Sequence, residues 1–186
     1  MARLFSAIEL PTAVRTDLGA RLAAVRDADM GAELRWLPPV SWHITIGFYG
    51  DREHPDRRGS WFRAQAATLT RTRIRLRAAG RFPGVLWTGV MAKHDDDVVA
   101  LRRLAAVLVD DAGPADPYDF VPHVTLARWR RGAAGSAAAA ETVAALAGYA
   151  SEWWTVPEVV LFRSDAGQDG ATYTALDRVP LAGKQR

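Results

Sequence analysis

The 186 residues include no cysteine, which removes a disulfide framework, a thiolate nucleophile and a thiolate metal site from consideration. No apolar run approaches the ~18 residues of a membrane span, and the opening Met1-Ala2-Arg3-Leu4-Phe5 lacks the apolar core of a signal peptide. We therefore expect a cytoplasmic chain with no membrane association. A strict strand-helix-strand rhythm is also missing, which argues against a doubly wound parallel sheet. What is abundant is apolar residue, at 49%, enough for one well-packed core or two small lobes sharing an interface. The net charge is +3 and the isoelectric point about 9.7. Much of that excess is arginine, which suits bidentate phosphate contacts and eases the approach of an anionic partner without identifying it.

Histidine is scarce, and two of the four copies stand in matching context. Trp42-His43-Ile44-Thr45-Ile46 returns as Pro122-His123-Val124-Thr125-Leu126, each reading His, β-branched, Thr, aliphatic. In an extended strand successive side chains point to opposite faces, so His43 and Thr45 face one way while Ile44 and Ile46 face the other. His123 and Thr125 repeat the pattern. A sheet turning its apolar side to a core leaves each His and its Thr on the open side. Two such strands facing one another make a site of two imidazoles and two hydroxyls. His54 and His94 lie in polar, loop-like segments without this context. No third ligand of suitable spacing accompanies His43 or His123, so neither a metal nor a cofactor is expected.

Along the chain, Arg3 to Leu10 reads as a buried strand closed by Pro11. Thr12 onward reads as a helix with Val14, Leu18, Leu22 and Val25 on its core stripe. The prolines at 38 and 39 make a rigid approach to a strand from Ser41 to Tyr49. Residues 51–58 read as a polar turn and 60–69 as a helix. Arg71, Arg73, Arg75 and Arg77 alternate with Thr72, Ile74, Leu76 and Ala78, a half-buried strand whose arginines are either a solvated face or an RNA track. Val85 to Ala92 is a further strand after a turn at Phe82-Pro83-Gly84. Asp95-Asp96-Asp97 either complements a helix N-terminus or binds a cation. Residues 111–119 read as a loop, 121–129 as the second His strand, 132–148 as a surface helix. Residues 153–162 and 172–176 read as two last strands joined by a loop over 165–170. The expected class is α+β with mainly antiparallel pairing: two intertwined lobes in one domain spanning 1–186, pseudo-twofold related, with outer helices and a central cleft between the motifs.

These residues resemble the 2H phosphoesterases, and within them the bacterial and archaeal RNA 2′,3′-cyclic phosphodiesterases, also called 2′-5′ RNA ligases. The resemblance is carried by both His-x-Thr motifs, by Arg3-Leu4-Phe5-Ser6-Ala7-Ile8-Glu9-Leu10-Pro11 and by Arg35-Trp36. It extends through Gly80-Arg81-Phe82-Pro83 with Leu86-Trp87-Thr88-Gly89-Val90, Ala127-Arg128, and Val159-Val160-Leu161-Phe162-Arg163-Ser164. Family members usually follow the first motif with a basic residue, Phe, Leu, Gly, whereas this chain has Gly47-Phe48-Tyr49-Gly50. Loss of that basic side chain would weaken RNA contacts beside the site.

The resemblance implies metal-independent opening of RNA 2′,3′-cyclic phosphate ends to 2′-phosphates, with weak reversible 2′-5′ ligation. The partner implied is RNA or an oligonucleotide with such an end, tRNA fragments among them, and no obligate protein partner. It makes His43 the proton donor and His123 the proton acceptor, two roles that the nearly symmetric motifs do not distinguish by themselves. Imidazole suits both near neutral pH. Thr45 and Thr125 would hold phosphoryl oxygens. The family also links the position of Arg128 to phosphate binding, yet its odd spacing from Thr125 puts it on the wrong face of an uninterrupted strand, so a bulge or strand end would have to turn it inward. Phe48 either stacks on a base or packs in the core. Alternatives are another 2H activity on a small cyclic nucleotide or ADP-ribose cyclic phosphate, and an RNA- or nucleotide-binding module without turnover.

Overall fold

Nine strands and four helices make up the fold in a computed structural model that describes residues 3–26, 33–51, 53–109, 120–130, 132–167 and 170–183. The strands are β1 (Arg3–Glu9), β2 (Arg35–Trp36), β3 (His43–Gly50), β4 (Arg73–Phe82), β5 (Val85–Ala92), β6 (His123–Arg128), β7 (Trp154–Thr155), β8 (Glu158–Gly167) and β9 (Gly170–Pro180). The helices are α1 (Thr12–Val25), α2 (Pro55–Ala66), α3 (Asp95–Leu108) and α4 (Ala133–Ala145). The expected loop over 111–119 lies outside the described residues.

All pairings between these strands are antiparallel, and they form one sheet in the order β7-β4-β5-β6-β3-β1-β8-β9, with β2 alongside β6. The two lobes are the halves of this sheet. Each is a four-stranded ribbon whose inner strand carries a His-x-Thr motif, and they meet through the pair Ile44↔Val124. The two motifs thus lie side by side on one face and do not confront each other across a gap. The backbone groups of β3 and β6 satisfy one another where they meet, which a gap would have left unpaired.

Ile44, Ile46, Val124 and Leu126 are buried on the helical side, in one core with Leu18 and Leu22 of α1, Phe62 of α2 and Leu104 and Leu108 of α3. At about 25 cal/mol per Å² of apolar surface, this layer is the main force holding the halves together. On the other face Phe5, Ala7, Val160 and Phe162 form a smaller cluster covered by Tyr173.

Four segments depart from the sequence expectation. α2 begins at Pro55, five residues early, because proline suits the first helical turn and Arg58 is buried: its guanidinium lies 4.4 Å from the Tyr49 ring, 4.6 Å from the Trp61 ring and 3.0 Å from Glu53. β4 runs to Phe82 through a bulge at Ala78 (φ 52°), where Thr88 donates to the Ala78 carbonyl at 2.7 Å. The expected 165–170 loop is instead mostly strand, with β8 and β9 paired out to Gly167↔Gly170. Trp154–Thr155 form a separate short strand on β4, so the strand expected over 153–162 is split in two.

Candidate active site

The Ile44↔Val124 pair sets the site. One residue to either side, antiparallel register puts His43 against Thr125 and Thr45 against His123, all four on the face opposite the helical core. His43 Nδ1 lies 2.8 Å from Ser41 O, and His123 Nδ1 lies 2.7 Å from Val121 O. In both rings Nδ1–H therefore donates to the carbonyl two residues upstream, leaving Nε2 to hold or take a proton. Among the described residues neither threonine hydroxyl has a protein partner.

Each imidazole stands against aromatics of its own half. Phe5 and Tyr173 flank His43 with ring centroids at 4.9 and 5.2 Å, and Phe82 and Trp87 flank His123 at 5.2 and 6.0 Å. Gly80 permits the second wall, since a Cβ there would come within 2.2 Å of the Trp87 ring. Burial pushes the His43 imidazolium below its ordinary pKa; the Ser41 carbonyl on Nδ1 opposes that shift and the neighbouring His123 charge adds to it.

Just beyond each threonine the strand carries a bulge. Thr45 pairs with Ala7 and Gly47 with Ser6, so Ile46 is the extra residue; Thr125 pairs with Trp87 and Ala127 with Leu86, so Leu126 is. The two residues of each bulge turn to the helical side, and the alternation restarts one position later. Phe48 and Arg128, three residues past their threonines, consequently lie on the motif face and both line one cleft of about 400 Å³ with His43, Thr45 and Thr125. Phe48 is 56% exposed and is no part of the core.

The same bulge accounts for Gly47. A Cβ on it would stand 2.0 Å from the Leu108 carbonyl oxygen, which the Tyr49 hydroxyl reaches at 2.6 Å. Position 47 faces the end of α3 and not the cleft. The missing basic side chain therefore removes no contact from the site, contrary to the sequence expectation.

Sequence reasoning missed Arg3, Arg35, Trp36 and Tyr173, which also line the cleft. Arg3 had a signal, since it alternates in phase with Phe5 and Ala7; Arg35 had none, because β2 reaches the site only by pairing Arg35 with Arg128 and Trp36 with Ala127. The arginines alternating over 71–77 are elsewhere: Arg71 donates to Leu181 O, Arg75 lies 4.4 Å over the Trp153 ring, and Arg77 reaches Met91 Sδ. Asp97 is buried and accepts the Arg73 N–H at 2.9 Å, so that acid fixes α3 against β4. Among the described residues no three His, Asp or Glu side chains are grouped to hold a metal ion, and no helix is long and apolar enough to cross a membrane.

Comparison with known proteins agrees with this architecture. TT0787 of Thermus thermophilus superposes with a TM-score of 0.68 at 24% identity, over 98% of this chain and 100% of its own. LigT of E. coli does so in apo form (TM-score 0.68, 23% identity, 96% of each chain) and complexed with 3′-AMP (0.66, 21%, 97% and 98%). An RNA 2′,3′-cyclic phosphodiesterase of Aeropyrum pernix is 32% identical over 119 residues, which are 58% of this chain and 65% of that one. The family model described as the 2′-5′ RNA ligase superfamily matches residues 43–168, from the first motif histidine to beyond the second, and the chain belongs to that family, a phosphoesterase family with the α+β antiparallel fold described above.

Proposed function

We propose that this protein hydrolyses RNA 2′,3′-cyclic phosphate ends to 2′-phosphomonoesters without a metal ion. The observation that carries the reading is the placement of two imidazoles and two unpartnered hydroxyls on one face, each ring with Nδ1 committed to a carbonyl and Nε2 free. The cyclic phosphate lies over the Ile44↔Val124 pair. Thr45 and Thr125 donate to its non-bridging oxygens, and Arg128 neutralises charge that builds up there. His123 Nε2 takes a proton from water as the oxygen attacks phosphorus; the P–O3′ bond breaks, and His43 Nε2 gives its proton to O3′. The two histidines end with exchanged protonation states, and solvent resets them. A ribose 5′-hydroxyl in place of water opens the ring in the same sense but weakly: it loses its proton to His123 and joins phosphorus as O3′ leaves, forming a 2′-5′ linkage in a reversible step. Phe48, exposed at the rim, is a stacking surface for a base. Kinship with the Aeropyrum pernix phosphodiesterase and the 3′-AMP complex of LigT support an RNA or nucleotide substrate.

The test is turnover of a 2′,3′-cyclic-ended oligonucleotide in EDTA. Activity that needs an added metal, or binding with no turnover, overturns the mechanism.

The pH profile separates the two roles. Burial holds the His43 imidazolium below about 6.5, so as a donor His43 loses its proton early, and kcat/KM declines as pH rises through that lowered value. In kcat the same limb lies higher, because bound phosphate stabilises the imidazolium. Tyr173→Ala removes one wall from His43 and raises its pKa, so the alkaline limb of kcat/KM moves to higher pH. A shift of the acid limb instead would make His43 the acceptor.

A further inference from the structure

A second groove, of about 640 Å³, adjoins the cleft. It is lined by Glu33, Leu34, Arg35, Arg128, Trp129 and Arg130 and shares Arg35 and Arg128 with the cleft. Those two arginines are direct cross-strand partners, a placement in which like charges repel. Among the described residues the guanidinium groups of Arg35, Arg128 and Arg130 have no hydrogen bond or ion pair. Four arginines elsewhere, Arg58, Arg63, Arg163 and Arg178, each meet a carboxylate. Glu33, the groove's one acid, forms no ion pair with the three. Mutually repelling, unneutralised cations bordering two adjoining concavities suit two anions better than one.

The spacing suits a polynucleotide. Arg130 follows Arg128 by two residues, about 6.6 Å along an extended chain, which is of the order of one nucleotide step. Trp129 between them is held in place by α4, where a Cβ on Gly135 would come within 2.6 Å of its ring. The indole forms a fixed, half-buried wall of the groove.

We propose that this groove is a second phosphodiester subsite, in which Arg35 and Arg130 hold the linkage on the 5′ side of the cyclic-ended nucleotide. The inference rests on the function proposed above and narrows it: the substrate is an oligonucleotide of at least two residues, not a cyclic mononucleotide.

The test compares kcat/KM for a 2′,3′-cyclic-ended dinucleotide with that for the matching 2′,3′-cyclic mononucleotide. The wild-type protein prefers the dinucleotide. Arg130→Ala lowers kcat/KM about tenfold on the dinucleotide, as loss of one charge-assisted contact does, and leaves the mononucleotide within about twofold. A dinucleotide with an uncharged methylphosphonate linkage loses a similar factor with the wild type and nothing further with Arg130→Ala. Equal losses on both substrates, or indifference to the linkage charge, overturn the subsite. Should the wild type turn over neither substrate, the hydrolase reading falls, and the subsite is judged on binding alone. The charged dinucleotide must then bind about tenfold tighter than its methylphosphonate form in wild type but not in Arg130→Ala, and equal affinities overturn it.

Discussion

Replacing His43 or His123 with Ala is expected to lower kcat on a cyclic-ended oligonucleotide by about 10²- to 10⁴-fold, the usual contribution of a positioned acid or base. KM changes far less, because Thr45, Thr125 and Arg128 still hold the phosphate. The double variant falls little below the weaker single one, since the two proton transfers serve one displacement and their effects do not add. His43 is packed between Phe5 and Tyr173, so its Ala variant also opens a hole. His43→Gln separates the two effects. Its amide fills most of the space and can donate to the Ser41 carbonyl, but it cannot deliver a proton at neutral pH. The same loss of kcat with an unchanged Tm assigns His43 to proton transfer; full activity in His43→Gln excludes it.

Gly47→Lys, which restores the family's usual basic residue, is expected to destabilise the protein and not to strengthen RNA binding. Its Cβ would stand 2.0 Å from the Leu108 carbonyl oxygen, a backbone atom at the end of α3 that no rotamer change can move aside. Overpacking of this kind costs roughly 1–3 kcal/mol, and in a chain of this size each kcal/mol lowers Tm by about 2–4 °C. The Tyr49 hydroxyl, which bridges Leu108 O at 2.6 Å and Ser6 Oγ at 2.8 Å, is displaced in the same step. Thermal unfolding with oligonucleotide titration checks this. An unchanged Tm with tighter binding would mean that position 47 faces the cleft.

Strand alternation made the motif face legible: His43, Thr45, His123 and Thr125 are where a period of two places them. The α1 stripe was equally plain, with Val14, Leu18, Leu22 and Val25 all buried. A bulge near Arg128 was legible only as a condition for turning it inward; where the bulges fall was not, because an extra residue in a strand is defined by its partner's register and the strands paired with β3 and β6 are distant in sequence. That single feature decides Arg128, Phe48 and Gly47 together. Arg35 was hidden for a related reason, since only pairing with a strand more than ninety residues away brings it to the site. At α2 polar composition misled, because Arg58 is buried by stacking on Trp61 one turn on and on Tyr49 of β3, a partner remote from its helix.

In the proposed mechanism a cyclic phosphate lies between the two Nε2 atoms with O3′ toward His43. Product analysis in EDTA tests it most directly, by resolving the 2′-phosphate from the 3′-phosphate after complete turnover of a cyclic-ended oligonucleotide. The geometry proposed here yields the 2′-phosphate alone. A 3′-phosphate, or a mixture of the two, would contradict it.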